Sequence, residues 1–186
     1  MPAGIPTAAR PVKPVNHLIT VVFRSRMPAS ADAVFRWHAE PGAFTRLQPP
    51  WEKARVIQRT GGIELIGSRL TIRLSVGPFT KDWVAEHTAC EPGRMFRDVM
   101  RAGPFRHWEH THLFLPDPDD AQASWLEDRI AYQLPFGWLG KLFAGAWTRR
   151  KLEGMFAYRH RVTAHAVASP AKISEDESSD VPGQTH

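Results

Sequence analysis

The chain has 186 residues, 42% of them hydrophobic, and a formal net charge of +5, which suits one globular domain with a full core. No run approaches the roughly 18 apolar residues that a membrane span needs. Met1 to Val15 carries Arg10 and Lys13 without a signal peptide's apolar stretch, and the lone Cys90 excludes an internal disulfide or a cysteine-rich zinc site, so a cytoplasmic location is expected.

Residues 1–15 are rich in Pro and Ala and read as a flexible arm. His17 to Arg26 alternates and is β-branched, the pattern of a strand. Ser30 then caps a short helix, with Asp32 in its first turn and Val34, Trp37 and His38 at helical spacing. Pro41-Gly42 breaks that helix, and Ala43 to Leu47 adds a turn before Pro49-Pro50 stops it. Strands follow at 53–60, 66–76, 79–89, 94–102, 106–115 and 123–133. Gly61-Gly62, Gly77-Pro78, Pro92-Gly93, Gly103-Pro104 and Pro116-Asp117 mark the turns between them. After Pro135 and Gly137 a long helix runs from about Trp138 to Ala164, with Leu139, Leu142, Phe143, Ala146, Leu152, Met155 and Phe156 apolar. Residues 167–186 read as a disordered acidic tail, leaving 16–166 as the domain.

The predicted order is strand, two short helices, six strands, long helix. An antiparallel sheet of that length must cover its apolar face, and the last helix is the only large element to do so. The expected class is α+β: a curved antiparallel sheet of about seven strands around a long C-terminal helix, with a pocket between them.

The charge is unevenly spread. The tail sets one lysine against Glu175, Asp176, Glu177 and Asp180, and the first sixteen residues add two cations, which leaves about +6 for the domain. That balance allows transient contact with an anionic membrane. No recognition motif supports nucleic-acid binding, and no obligate protein partner is evident.

Arg106 to Phe114 is the most informative segment. Read as a strand, it sets Trp108, His110, His112 and Phe114 on one face. Buried imidazoles need partners, so this face reads as a cavity wall: aromatic surface for an apolar ligand, and histidines to orient its polar end. The alternative is a solvent face. His110 and His112 are also candidate acid–base groups. His87 shares a side with Trp83, which raises a three-histidine metal reading; no carboxylate is fixed by the local pattern to orient the rings, and no metal or other cofactor is expected. Asp128 lies among Leu126, Ile130 and Tyr132, where it either orients His110 or His112 or pairs with Arg149 or Arg150. It is the third candidate catalytic residue, and Asp98, on Phe96's side of its strand, shares the ambiguity. Trp51 is expected to cap a ligand and Glu52 to anchor its loop. The expected ligand contacts are thus Trp51, Trp83, His87, Trp108, His110, His112, Phe114, Asp128, Tyr132 and Phe143. Trp37 and His38 read as core, and Arg159 and His160 as cations suited to a helix C-terminus. Neither a nucleophile elbow nor a phosphate-binding glycine loop is present, and nothing marks Cys90 as activated.

The element order resembles the START/polyketide-cyclase (SRPBCC) superfamily with its helix-grip fold. Three segments resemble a bacterial subgroup found alone or fused ahead of a nucleotide-sugar-epimerase-like domain. They are Phe35-x-Trp37-His38-x-x-Pro41-Gly42-Ala43-Phe44-x-Arg46-Leu47-x-Pro49-Pro50-Trp51-Glu52, Gly103-Pro104-Phe105-x-x-Trp108-x-His110-x-His112-x-Phe114 and Phe156-x-Tyr158-Arg159-His160. The resemblance covers about residues 17–165. No glycine-rich dinucleotide fingerprint occurs here, so nothing calls for NAD. The superfamily implies carriage of lipids, sterols or coenzyme Q, or cyclase and dehydratase chemistry, and a fold alone does not choose between them. The expected function is binding or carriage of a small lipophilic molecule (isoprenoid quinone, lipid or aromatic polyketide-like). A cyclase or dehydratase using the pocket histidines is the first alternative, and a regulatory interaction module the second.

Overall fold

The computed structural model describes residues 18–76, 78–135 and 137–168, by backbone alone at 76 and 137–144. The expected N-terminal arm, His17, Gly77 and most of the acidic tail lie outside the described residues. So does the side chain of Phe143.

The elements in chain order are β1 (Ile19–Met27), α1 (Ala31–Ala39), α2 (Ala43–Arg46), β2 (Ala54–Arg59), β3 (Arg69–Val76), β4 (Phe79–Glu91), β5 (Met95–Ala102), β6 (His107–Asp117), β7 (Asp120–Gln133) and α3 (Gly137–Ala168). The strands form one antiparallel sheet in the order β1-β7-β6-β5-β4-β3-β2. Sequential strands are hairpin neighbours from β2 to β7, and only β1 crosses over to close against β7. The expected α+β class and seven strands are present, and the long helix runs four residues beyond Ala164.

Local chemistry sets the ends of α1. The Ser30 hydroxyl accepts from the Ala33 amide, and the helix ends as the Glu40 amide turns back to the Trp37 carbonyl. Gly42 then takes φ 85° at the start of α2, a left-handed conformation that glycine adopts without steric cost. This α1–α2 corner packs over one end of the sheet. There Phe114 meets Phe35 edge to face, their ring centroids 5.4 Å apart, among Met27, Val34, Phe96 and Leu126.

The other core cluster lies under α3. Leu152, Phe156, His160 and Thr163 follow one another at three- or four-residue steps and are all buried, so they form one helical stripe toward the sheet. Phe156 stacks on Phe23 of β1 at 4.7 Å. On the outer face, arginines and carboxylates pair across strands: Arg69 and Arg101 both reach Glu86, at 2.7 and 2.6 Å. Such exposed pairs each contribute little.

Phe114 was expected in the cavity wall, but the structure seats it in the core beneath α1, behind the lining residues His38, Phe96 and Leu126 rather than among them. Replacing Phe114 by Ala is expected to destabilise the domain by about 3–5 kcal/mol, read from the urea unfolding midpoint, while leaving the cavity's polar groups in place.

Candidate functional site

A cavity of about 530 Å³ lies between the sheet's inner face and α3, within the usual size of a small-molecule site. Leu47, Leu70, Ile72, Leu74, Leu152 and Met155 supply much of its apolar wall. Trp83, Phe105 and Trp108 form an aromatic end, with the two indoles edge to face at 4.9 Å.

The polar groups are gathered by strand register. His87 on β4 stands opposite Asp98 on β5, and Asp98 opposite His110 on β6. One step along, Phe96, His112 and Asp128 are opposite one another across β5, β6 and β7. Directly opposed side chains on one face touch, and those two residues along are within reach of long ones. Asp128 therefore meets His112 across the strand pair and His110 on the diagonal. The alternation in β6 resolves inward: Trp108 and His110 are buried, and both His110 and His112 border the cavity.

Asp128 is 3% exposed and is the centre of the cluster. His110 Nε2 lies 2.8 Å from its Oδ1, and His160 Nε2, arriving from α3, 2.6 Å from its Oδ2. His112 Nδ1 is 2.7 Å from Oδ1. This last contact is ionic in character, because the ring nitrogen is not aligned for a proper hydrogen bond. The other ring nitrogen of His160, Nδ1, lies within hydrogen-bond distance, 2.8 Å, of the Ser25 hydroxyl on β1. One carboxylate thus links β6, β7 and α3, and through His160 also β1. Arg149, an expected alternative partner, instead pairs with Glu153 at 3.0 Å.

Asp98 faces the opposite side of the histidine pair. Its Oδ2 is 3.7 Å from both His110 Nδ1 and His112 Nε2, too far for hydrogen bonds. The two adjacent imidazoles, with ring centroids 3.8 Å apart, are held between two carboxylates. Burial works against a charge on His112, but Asp128 and Asp98 outweigh it and raise its pKa above the ordinary histidine value. His110 moves the other way, lowered by burial and then by the neighbouring His112. Asp128 is driven well below the usual carboxylate range despite its burial, chiefly by the charge of His112 and the donors around it. Neighbouring imidazoles pushed apart in this way can take complementary acid and base roles.

Asp98, His110 and His112 could also each offer one atom to a metal ion, since those atoms lie within 4.8 Å of one another. The trio takes in Asp98 rather than the His87 of the three-histidine reading. Two carboxylates flanking His112 and raising its pKa account for the same convergence by charge alone.

The other expected contacts divide. Trp83, His87 and Trp108 border the cavity. His87 has a lowered pKa, mainly from burial, and its Nδ1 is buried without a partner. Tyr132 is 1% exposed and lies in the core behind Phe105 and Trp108 rather than in the lining. Trp51 is 57% exposed and packs on Tyr158. The tight Pro49-Pro50 turn directs it outward, so it does not cap the cavity. Glu52 beside it does line the cavity and pairs with Lys151 of α3 at 3.1 Å, the loop anchor expected of it.

Two residues read as helix-end cations belong to the site. His160 and Arg159 lie two turns inside α3, because the helix continues to Ala168. Their signal was spacing: His160 follows Phe156, and Arg159 follows Met155, by four residues along the buried side. His38 also borders the cavity from α1. Its Nδ1 donates to the Val34 carbonyl at 2.8 Å, and burial, aided by His112, lowers its pKa to about 4.

Two outcomes follow. Replacing Asp128 by Asn removes the charge that balances His112 and is expected to cost about 3–5 kcal/mol in urea unfolding at neutral pH. Because folded His38 titrates near pH 4, below the ordinary 6.5, the unfolded chain binds the extra proton in between. Stability should fall as pH drops from 6.5 to about 4, by roughly 3 kcal/mol for this group. His38→Gln should flatten that slope in urea midpoints taken across the window, leaving the parts due to His87 and His110, which are lowered by burial in the same direction.

Both the sequence and the fold have known relatives. Residues 27–157 match the family model described as polyketide cyclase / dehydrase and lipid transport. Among curated proteins none matches the sequence. Solved structures with the same fold include TTHA0849 from Thermus thermophilus, 16% identical with a TM-score of 0.61, covering 81% of this chain and 97% of that one. Norcoclaurine synthase from Thalictrum flavum, in complex with dopamine and hydroxybenzaldehyde, is 15% identical with a TM-score of 0.58, covering 89% of this chain and 98% of that one. A nucleoside-diphosphate sugar epimerase from Corynebacterium glutamicum is 25% identical with a TM-score of 0.58 over 78% of this chain, which spans only 28% of the length of that protein. The curved seven-stranded sheet closed by a long helix is the helix-grip architecture, and this chain belongs to the polyketide cyclase / dehydrase and lipid transport family.

Proposed function

We propose that the domain binds a small lipophilic molecule in the cavity between its sheet and α3. The observation that carries this reading is a cavity of about 530 Å³ whose apolar walls surround one compact polar cluster. An isoprenoid quinone, a lipid or an aromatic polyketide-like molecule fits that division. Roughly 600 Å² of buried apolar ligand surface, at about 25 cal/mol per Å², supplies a gross gain near 15 kcal/mol. Association and ordering consume much of this gain. The remainder supports micromolar or tighter binding with few polar contacts. The Thalictrum enzyme, which shares the fold, holds aromatic molecules in its complex.

A second reading, acid–base catalysis of a cyclisation or dehydration, draws support from the arrangement of Asp98, His110, His112 and Asp128. A base within hydrogen-bond reach of a carboxylate, and open to a cavity, is the geometry such chemistry uses. The two readings share the binding step and differ in turnover.

Native mass spectrometry of the gently purified protein, followed by denaturing extraction, tests the binding step. A stoichiometric lipophilic passenger is expected. Ala85 is 7% exposed and lines the cavity from β4; Ala85→Phe should fill that volume and lower affinity for the identified passenger at least tenfold. Full retention by this variant would place the passenger elsewhere and defeat the reading. His110→Gln separates carrier from enzyme: a carrier keeps most of its affinity, whereas an enzyme loses rate while still binding.

A further inference from the structure

Arg159 is a cation in the cavity wall with no counter-ion in contact among the described residues. It projects from α3 and lines the cavity. Its guanidinium carbon lies 5.9 Å from the centroid of the Phe44 ring and 5.5 Å from that of Phe156. Its Nε is fully buried and has no hydrogen-bond partner, and none of its five donors reaches an acceptor among the described residues. Most arginines on this protein are paired, as Arg26 is with Asp117 and Asp120. A half-buried guanidinium with its Nε enclosed, packed against two aromatic rings, leaves its hydrogen-bonding capacity unused, and the enclosed Nε carries a cost in desolvation.

The other polar groups of the cavity do not use that capacity. Glu52 is committed to Lys151 at 3.1 Å. Asp128 is surrounded by three histidines, and Asp98 faces the His110–His112 pair. Arg59 also borders the cavity but is itself exposed to solvent. Arg159 therefore presents a planar fork of N–H donors to a mostly apolar interior, a shape matched by a carboxylate.

We infer that the ligand is an amphiphile with a single carboxylate, bound head-first to Arg159 with its apolar body along the cavity wall. This deepens the lipophilic-ligand reading and rests on it. A monoanion fits better than a phosphate dianion. Asp98 and Asp128 already place two carboxylates in the same cavity, and a second ligand charge would be repelled by them. Burial lowers the pKa of Arg159, while Asp128 and then Asp98 oppose that shift. The side chain stays cationic throughout the physiological range.

The test compares dodecanoate with dodecanol at pH 8 by titration calorimetry, on the full chain and on Arg159→Gln. Wild type should bind the acid roughly ten- to a hundredfold more tightly than the alcohol, the span expected of a charge-assisted pair. Arg159→Gln should remove that preference while keeping the affinity for dodecanol, which also reports an intact cavity. Equal affinities in wild type would overturn the carboxylate inference and leave the lipophilic reading standing. So would a preference that survives in Arg159→Gln. Failure of both probes to bind wild type would overturn both. If Arg159→Gln loses dodecanol as well, Arg159→Met supplies an apolar side chain without the cation. Loss of the acid preference there supports the inference, and its persistence overturns it.

Discussion

The buried carboxylate of Asp128 is the constraint around which this domain is arranged. A charge at 3% exposure is tolerable only when compensated on nearly every side. The compensation comes from His110 and His112 on the adjacent strand and from His160 on the closing helix. The same contacts therefore satisfy a charge and fix where α3 sits above the sheet. His160 reaches on to Ser25, so the linkage continues into β1. Apolar contacts such as Phe156 on Phe23 supply area without direction, whereas the carboxylate accepts from only a few angles. Helix placement depends on both.

Holding the helix over the sheet also keeps a space open between them. Side chains pack densely in the clusters at the α1 corner and around Phe156, and a domain interior ordinarily fills to that density throughout. Here the polar cluster resists collapse. His110, His112 and Asp98 occupy a wall that leucine or isoleucine could otherwise cover, and they retain hydrogen-bonding capacity toward the cavity. The pairing of Glu52 with Lys151 ties the loop after α2 to α3. Trp51, though prominent in the sequence, contributes a surface contact with Tyr158 instead.

Much of this was legible in the sequence because its signals are periodic. Alternation in β6 identified the face carrying Trp108, His110 and His112, and proline and glycine punctuation separated the strands. What stayed hidden depends on register and on element length. Nothing local to β5 says that Asp98 will stand opposite His110, because pairing between strands is set by the fold as a whole. His160 and Arg159 looked like cations at a helix end only while the end was placed near Ala164. With the helix running to Ala168 they lie too deep for its terminal dipole to explain them. Phe114 and Tyr132 share faces with cavity residues, yet other side chains stand between them and the space: Phe96 and Leu126 beside Phe114, Phe105 and Trp108 beside Tyr132. Alternation reports which side a residue faces, not which side chains will cover it.

The crossover of β1 has a consequence for how the chain comes to be made. Each strand from β2 onward is followed directly by its hairpin neighbour, but β1 waits for β7. On the ribosome, an amphipathic strand with Ile19, Val21, Phe23 and Met27 on one face emerges early and has no ladder to join until the last strand is complete. Through that interval its backbone groups and apolar face remain available to other chains. Arg24 and Arg26 stand on its opposite face, the kind of charge that limits such pairing. The single crossover thus makes the first strand of the domain the last to find its partner.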